Sequence, residues 1–372
     1  MEPIYIDYNA STPIASEVAE AMRPFLRAGF GNPSSPHWAG APAKTAMDEA
    51  RRDVAALLGC AADEVIFTNG GSEANNMALK GVFYEKGGVG AHIITSQIEH
   101  PAILAPCRFL ESLGAEVTYL PVDGTGLVDP AAVAGAITGS TVLVSIMHAN
   151  NEVGTIQPIA DIARITRARG VLLHTDAAQS AGKIATEVDG LGVDLLTIAG
   201  HKLYAPKGVG ALYMRAGTET EPLIHGAGHE GGRRAGTESA LFAAGLGMAC
   251  RIAKPLIPND AIRELRDLFW RRLRDSFGDG VLLNGHKTSR LPNTLNVSFP
   301  ARIGADILAN LDGVAASTGS ACHEGTIDLS PVLAAMGVSP EVGGGAIRFS
   351  LGRGTTAEEV ETVVKRLRVV LG

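Results

Sequence analysis

The sequence is poor in cysteine and in long apolar runs, and each deficit excludes a class of protein. Its 372 residues include only four cysteines, Cys60, Cys107, Cys250 and Cys322, and none belongs to a C-x-x-C pair. This spacing argues against both a zinc site and a disulfide framework. No apolar run reaches the roughly 18 residues of a transmembrane helix, so we expect no interaction with membranes.

Positive charge and targeting signals are also scarce. The net charge is -7 and no basic patch stands out, which argues against binding to nucleic acid. The first residues lack the basic and apolar regions of a signal peptide, so we expect a cytoplasmic location. What the chain does have is a hydrophobic fraction of 46%, which is enough for a large globular core.

From about residue 65 the chain alternates short apolar strands with segments of helical length. The predicted strands cover residues 65–67, 92–95, 116–120, 142–146, 171–175, 194–198 and 209–214, and helices are predicted at 72–86, 101–113 and 159–169. This alternation is typical of βαβ units and predicts an α/β fold with a mainly parallel sheet.

The pattern changes near Lys254 and Pro255, where we place a domain boundary. Helices are predicted beyond it at 262–276, 305–310 and 357–371, with strands at 294–299 and 346–350. We therefore divide the chain into a large domain of residues 14–254 and a smaller α/β domain formed by residues 1–13 and 255–372.

Polar residues follow several of these strands, at the edge of the sheet where α/β folds bind ligands. After the first strand, Gly70, Gly71 and Ser72 lead into a helix. The free N–H groups at such a helix start can bind a phosphate. Alternatively, Ser72 only caps the helix.

Three further residues add the chemistry of an aldehyde cofactor. His100 can stack on an aromatic ring and transfer protons, although a lone histidine is more often an ordinary polar residue. Asp176 ends a later strand, where a carboxylate can pair with a pyridinium nitrogen. Lys202 follows an apolar strand, and partial burial would leave its amine able to form an imine, although a loop lysine is more often solvated. Together these are the parts of a pyridoxal phosphate enzyme.

The motifs occur in an order that resembles the NifS/IscS-type cysteine desulfurases, which are pyridoxal phosphate enzymes of the class V aminotransferase group. The resemblance extends over nearly the whole chain, through residues 5–13, 31–37, 68–76, 99–100, 150–154, 176–179, 200–202, 226–238, 319–322 and 348–353. It implies an α/β transferase of fold type I, whose large mainly parallel-sheet domain binds the cofactor. The smaller C-terminal domain would carry a catalytic cysteine loop.

The resemblance also implies a role for individual residues. Lys202 would bind the cofactor aldehyde and move the substrate α-proton, Asp176 would pair with the ring nitrogen, and His100 would stack on the ring. Asn151 and Gln179 would contact the ring oxygen and the substrate. The phosphate would be bound by Gly71, Ser72 and His201, and also by Thr237 from the neighbouring subunit of a homodimer. Arg353 would bind the substrate carboxylate, for which a bidentate guanidinium is suited.

Cys322 would take the sulfur of L-cysteine as a persulfide, leave alanine, and pass the sulfur to an acceptor protein for iron–sulfur cluster assembly or thiolation. The other three cysteines are expected to be inert. We hypothesise that the adjacent His323 favours the Cys322 thiolate. Ala199 departs from the hydroxyl residue that many relatives carry beside the phosphate, and we expect weaker cofactor retention from it.

Other functions stay open on the same scaffold. A selenocysteine lyase or a cystine or cysteine C–S lyase would depend less on Cys322, and a plain aminotransferase would not need that loop. A sulfur-transfer scaffold without catalysis is a remoter alternative, because it would not need Lys202 and Asp176 together.

Overall fold

The computed structural model describes residues 3–318 and 329–372; the predicted Cys322 and His323 lie outside the described residues. The strands are β1 Ile4–Tyr5, β2 Val65–Thr68, β3 His92–Ser96, β4 Glu116–Leu120, β5 Thr141–Ser145, β6 Leu172–Asp176, β7 Leu195–Ala199, β8 Gly210–Met214, β9 Leu282–Asn284, β10 Thr294–Ser298, β11 Val314–Ala315 and β12 Ala346–Ser350. Each predicted strand is present, with ends shifted by at most one residue.

The helices separate these strands in the expected order. They are α1 Ser16–Met22, α2 Ala41–Leu58, α3 Gly71–Glu85, α4 Pro101–Glu111, α5 Pro130–Ala136, α6 Ile159–Arg169, α7 Val188–Leu191, α8 Ala240–Ala253, α9 Asp260–Phe277, α10 Gly304–Ala309, α11 Pro331–Ala335, α12 Pro340–Gly343 and α13 Ala357–Leu371. The long helices α2 and α8, which pack against each other, were not among the predicted elements.

The larger sheet has seven strands among the described residues, in the order β2-β8-β7-β6-β5-β3-β4. Strands β4, β3, β5, β6 and β7 are parallel, whereas β8 runs antiparallel to both β7 and β2. Because helices cover both faces of the sheet, its inner strands are apolar and buried along their whole length. The α/β fold with a mainly parallel sheet is confirmed.

A second sheet of three antiparallel strands, β12-β10-β9, packs against α9 and α13 around a separate apolar cluster. Ile4 and Ile6 join this cluster, and β1 pairs with β11. The first residues of the described chain therefore pack with the C-terminal part. The domain bounds themselves stay a prediction.

No single helix in the described ranges is long and apolar enough to cross a membrane. Only the stretches Ala240–Leu256 and Asp260–Gly280, taken together across a bend of 74°, reach the necessary length and composition.

Candidate active site

A cavity of about 450 Å³ lies at the carboxyl ends of the parallel strands. This is the edge of the sheet at which an α/β fold binds its ligand, because the loops after neighbouring strands meet there. Eight of the predicted site residues line the cavity: Gly71, Ser72, His100, Asn151, Asp176, Gln179, His201 and Lys202. The fold thus brings together residues that are up to 131 positions apart in the sequence, from Gly71 to Lys202.

Lys202 ends a short 3-10 turn that directly follows β7. Its Nζ donates hydrogen bonds to the carbonyl oxygens of Asn9 at 2.6 Å and Ala10 at 2.8 Å. Burial, with a smaller contribution from nearby Arg348, lowers the pKa of Lys202 to about 8, although Asp7 and Asp176 act in the opposite direction. A substantial fraction of the amine is therefore neutral near physiological pH and able to attack an aldehyde.

Asp176 is the last residue of β6, and it is nearly buried at the floor of the cavity. Its carboxylate accepts hydrogen bonds from Asn75 Nδ2 at 2.7 Å and from the backbone N–H of Ala178 at 2.9 Å. These two donors fix the carboxylate in one orientation. Asn75 was not predicted as a site residue, although a buried asparagine one turn after a helix start is a usable signal for a polar partner.

His100 is the N-cap residue of α4, and its Nδ1 accepts a hydrogen bond from the backbone N–H of Ala102 at 3.1 Å. In the neutral ring, Nε2 therefore carries the proton. Burial lowers the pKa of His100, and Lys202 adds to that effect, whereas Asp176 opposes it. The result is a neutral imidazole with an N–H donor at the edge of the cavity.

One end of the cavity has the features of a phosphate site. The helix α3 begins there at Gly71, after Gly70 with a φ of 141°, and its first N–H groups are free to donate. A Cβ atom at Gly71 would lie 3.2 Å from the Cβ of Ala199, so a glycine leaves this space open. Burial and nearby cations, Lys202 first, lower the pKa of His201 to about 4, which keeps its ring neutral.

These residues fit pyridoxal 5'-phosphate. The free N–H groups of α3 suit the phosphate, the nearly buried Asp176 suits a protonated ring nitrogen, and the partly neutral Lys202 suits the aldehyde.

Known proteins resemble this chain over most of its length. Residues 4–363 match the family model described as Aminotransferase class-V. The chain belongs to this family. It is 49% identical over 378 residues to "Cysteine desulfurase IscS" of Dictyoglomus turgidum, an alignment that covers 99% of this chain and 96% of the relative.

Two solved structures have closely similar folds. A "NIFS-LIKE PROTEIN" superposes with a TM-score of 0.92 at 37% identity and covers 99% of both chains. The structure named "SspA in complex with cysteine" has a TM-score of 0.84 at 38% identity and covers 94% of this chain and 98% of the other. The resemblance of this class V aminotransferase to the NifS/IscS-type cysteine desulfurases is thereby confirmed.

The structure puts the side chain of Arg353 outside the cavity that the other predicted site residues line. Its guanidinium stacks on the ring of Tyr204 at 4.3 Å and lines a separate cavity of about 30 Å³. Arg353 lies three residues after the end of β12, and its backbone N–H donates to the hydroxyl oxygen of Tyr204 at 2.7 Å. The predicted contact between Arg353 and the substrate carboxylate stays a prediction, which this position outside the cavity does not favour.

Arg348, which the sequence reasoning missed, is the arginine that lines the larger cavity. It lies in the middle of β12 and forms an ion pair with Asp7 at 2.7 Å, and its second terminal nitrogen donates to the carbonyl oxygen of Asn151 at 3.1 Å. An arginine inside an otherwise buried apolar strand was the available signal, because a buried charge needs a partner or a function.

Thr237 lines a different cavity of its own chain, together with Phe67, Asn69 and Arg234. Its predicted contact is with the phosphate of a neighbouring subunit, and that contact stays a prediction.

Proposed function

We propose that this protein is a pyridoxal-phosphate-dependent cysteine desulfurase that converts L-cysteine to L-alanine and transfers the sulfur to Cys322. The observation that carries the proposal is the meeting of Lys202, Asp176 and the start of α3 in one cavity. The 49% identity to a cysteine desulfurase over almost the full chain selects this reaction among those of the fold.

The cofactor would be held at three points of the cavity. Its phosphate would bind the N–H groups at the start of α3, Ser72 and His201, its ring nitrogen would face Asp176, and its aldehyde would meet Lys202. When bound, pyridoxal phosphate supplies an electron sink for the bond that breaks at the substrate.

Lys202 is the group best suited to move the α-proton. Since its pKa is about 8, its Nζ can take up a proton and return it at neutral pH without a large energetic cost. The carbonyl oxygens of Asn9 and Ala10 hold Nζ before the cofactor binds. Neutral His100, with its proton on Nε2, provides a second proton donor at the cavity edge.

Arg348 is the group we assign to the substrate carboxylate. Asp7 and the Asn151 carbonyl hold it in place, and it is the arginine that lines the cavity. A fixed guanidinium can bind a carboxylate through two parallel hydrogen bonds, which would orient the α-carbon of the substrate for the reaction.

Cys322 would complete the reaction. Its thiolate attacks the sulfur of the bound cysteine, an S–S bond forms, the C–S bond breaks, and protons supplied from the site complete alanine. The balance is L-cysteine plus the Cys322 thiol giving L-alanine plus a Cys322 persulfide. A sulfur-acceptor protein would then take the persulfide sulfur, in cluster assembly or in thiolation, and we expect this to happen in the cytoplasm.

We further propose a homodimer. Three large apolar side chains in one segment, Leu26, Phe30 and Trp38, are exposed by 67%, 75% and 83%, which is unusual unless another surface covers them. Thr237 does not line the candidate active-site cavity of its own chain, which agrees with a contribution to the site of the neighbouring subunit. Light scattering after size-exclusion chromatography tests this, and a monomer at micromolar concentration would contradict it.

The decisive experiment for the function is a single turnover of the holoenzyme with L-cysteine, followed by peptide mass spectrometry and an assay of alanine. We expect the peptide that holds Cys322 to gain the mass of one sulfur atom, with one alanine formed per site. Cys322→Ala should keep the visible band of the cofactor and lose the mass gain.

The other reactions give different products in the same experiment. Pyruvate and free sulfide, without a mass gain on Cys322, would identify a C–S lyase. A protein that develops no visible band with added pyridoxal phosphate would contradict the whole assignment.

A further inference from the structure

Lys183 is a partly buried lysine that the reaction above does not use. It lies outside the larger cavity and lines the small cavity that also contains Arg353 and Tyr204. Its Nζ lies 3.0 Å from Gln179 Oε1 and 3.5 Å from Asn9 Oδ1. Burial lowers the pKa of Lys183 to about 7, and the nearby cations Lys202 and Arg348 contribute. A buried cation next to two others is costly, so its position calls for a function.

The contacts of Lys183 fix the orientation of the Gln179 amide. In its protonated form Lys183 can only donate, so it selects the amide oxygen of Gln179 as the atom that faces it. At the other end, Gln179 Nε2 donates to the carbonyl oxygen of Asn9 at 2.9 Å, and a carbonyl can only accept. Both partners therefore select the same orientation of an amide that could otherwise rotate by half a turn.

This orientation decides what Gln179 offers to a ligand. One N–H of Nε2 binds Asn9, and its second N–H has no partner among residues 3–318 and 329–372. Gln179 and Asn9 line the larger cavity whereas Lys183 lines the small one, so the N–H end of the amide lies on the side of the ligand and the oxygen on the side of Lys183. A ligand oxygen that carries negative charge is attracted by an N–H donor and repelled by an amide oxygen.

We propose that Lys183 is a positioning residue that holds Gln179 with its N–H toward the ring oxygen of pyridoxal phosphate. This inference rests on the proposed function, because it requires that cofactor in the cavity. Without Lys183, Gln179 Oε1 would lose its donor, and only the hydrogen bond to the Asn9 carbonyl would still favour this orientation of the amide.

A simpler role for Lys183 would be a direct effect of its charge on Lys202 and the cofactor. The two roles differ in one respect. An effect of charge persists when Gln179 is removed, whereas an effect that acts through Gln179 disappears with it. A double-mutant cycle separates them.

The experiment compares the wild type, Lys183→Met, Gln179→Ala and the double variant. For each, the dissociation constant of pyridoxal phosphate is measured by absorbance titration, together with the pH midpoint of the visible band. We expect Lys183→Met to weaken binding about tenfold when Gln179 is present and less than about twofold when it is absent. The pH midpoint should move in the same direction in Lys183→Met and in Gln179→Ala.

Lys183→Arg should restore affinity to within about threefold of the wild type, since it retains a cationic donor. The exposed Lys365, changed to Met, is the matched control and should bind the cofactor as the wild type does. If Lys183→Met does not fold, Lys183→Gln serves in the same cycle. Equal losses of affinity in both Gln179 backgrounds would overturn the inference. A wild type without a visible band would instead refute the proposed function.

Discussion

The substrate carboxylate offers the sharpest test, because the sequence pointed to Arg353 and the structure points to Arg348. The two arginines are five residues apart, and only Arg348 lines the cavity. Replacement of each by lysine keeps the positive charge and removes the planar fork that binds two carboxylate oxygens. Arg348→Lys also leaves a cation beside Asp7, whose side chain is 15% exposed, so the protein is not left with an unpaired buried carboxylate.

The loss of one charge-assisted hydrogen bond costs about 1.5–3 kcal/mol. This corresponds to a decrease of roughly 10- to 150-fold in kcat/KM for L-cysteine in Arg348→Lys. Most of the change should appear in KM, because the contact exists before the reaction begins. Arg353→Lys should change KM by less than about threefold, since its guanidinium contacts Tyr204 outside the cavity.

The assay is alanine formation at varied L-cysteine, with the visible band as a check on cofactor content and the melting temperature as a check on folding. A large increase in KM in Arg353→Lys, with Arg348→Lys unaffected, would refute the structural reasoning. Equal effects of both substitutions would refute it as well, because a single carboxylate clamp could not then be assigned.

Three further outcomes follow from the site. Since the pKa of Lys202 is about 8 and the neutral amine attacks the aldehyde, the rate at which apoprotein captures pyridoxal phosphate should rise with pH around a midpoint near 8. Stopped-flow absorbance measures this rate, and a rate that does not change with pH would contradict the pKa given for Lys202. Burial raises the pKa of Glu99 to about 8 from 4.5, so the folded state holds an extra proton and stability is lost as pH rises between these values. Glu99→Gln keeps an oxygen acceptor for Ser96 and Met147. It should therefore raise the free energy of unfolding by on the order of 3 kcal/mol at pH 8 and by much less at about pH 4.5. Urea denaturation at the two pH values tests this prediction, and equal gains in stability at both would argue against it. Finally, Ala199→Ser adds a hydroxyl at the phosphate end of the cavity and should tighten cofactor binding about fivefold. An absorbance titration measures the affinity, and tighter binding by the wild type would contradict this prediction.

Local sequence patterns predicted the strands and the ligand edge of the larger sheet well. The apolar runs that became β3, β6 and β7 are buried on both faces, so their composition alone distinguishes them from loops. The residues that follow them, Lys202 above all, had to lie at the edge of the sheet because parallel strands end there together.

The choice between Arg348 and Arg353 could not be made in the same way. Both belong to one short motif, and the difference lies in which side chain reaches the cavity: Arg348 from the middle of β12, or Arg353 from three residues beyond its end. The difference depends on the pairing of β12 with β10 and on Asp7, which comes from the opposite end of the chain. Asn75 was missed for a similar reason, since its partner Asp176 is 101 residues away.

The sequence by itself therefore determined the α/β fold, the sheet edge and the chemical types present at the site, because these depend on periodicity and on motifs within a few residues. The tertiary structure alone decided which arginine lines the cavity. It also decided that Lys183, in the neighbouring small cavity, lies where it can orient the amide of Gln179. It also lowered the pKa of Lys202, because burial and the neighbouring Arg348 arise only when distant segments pack together.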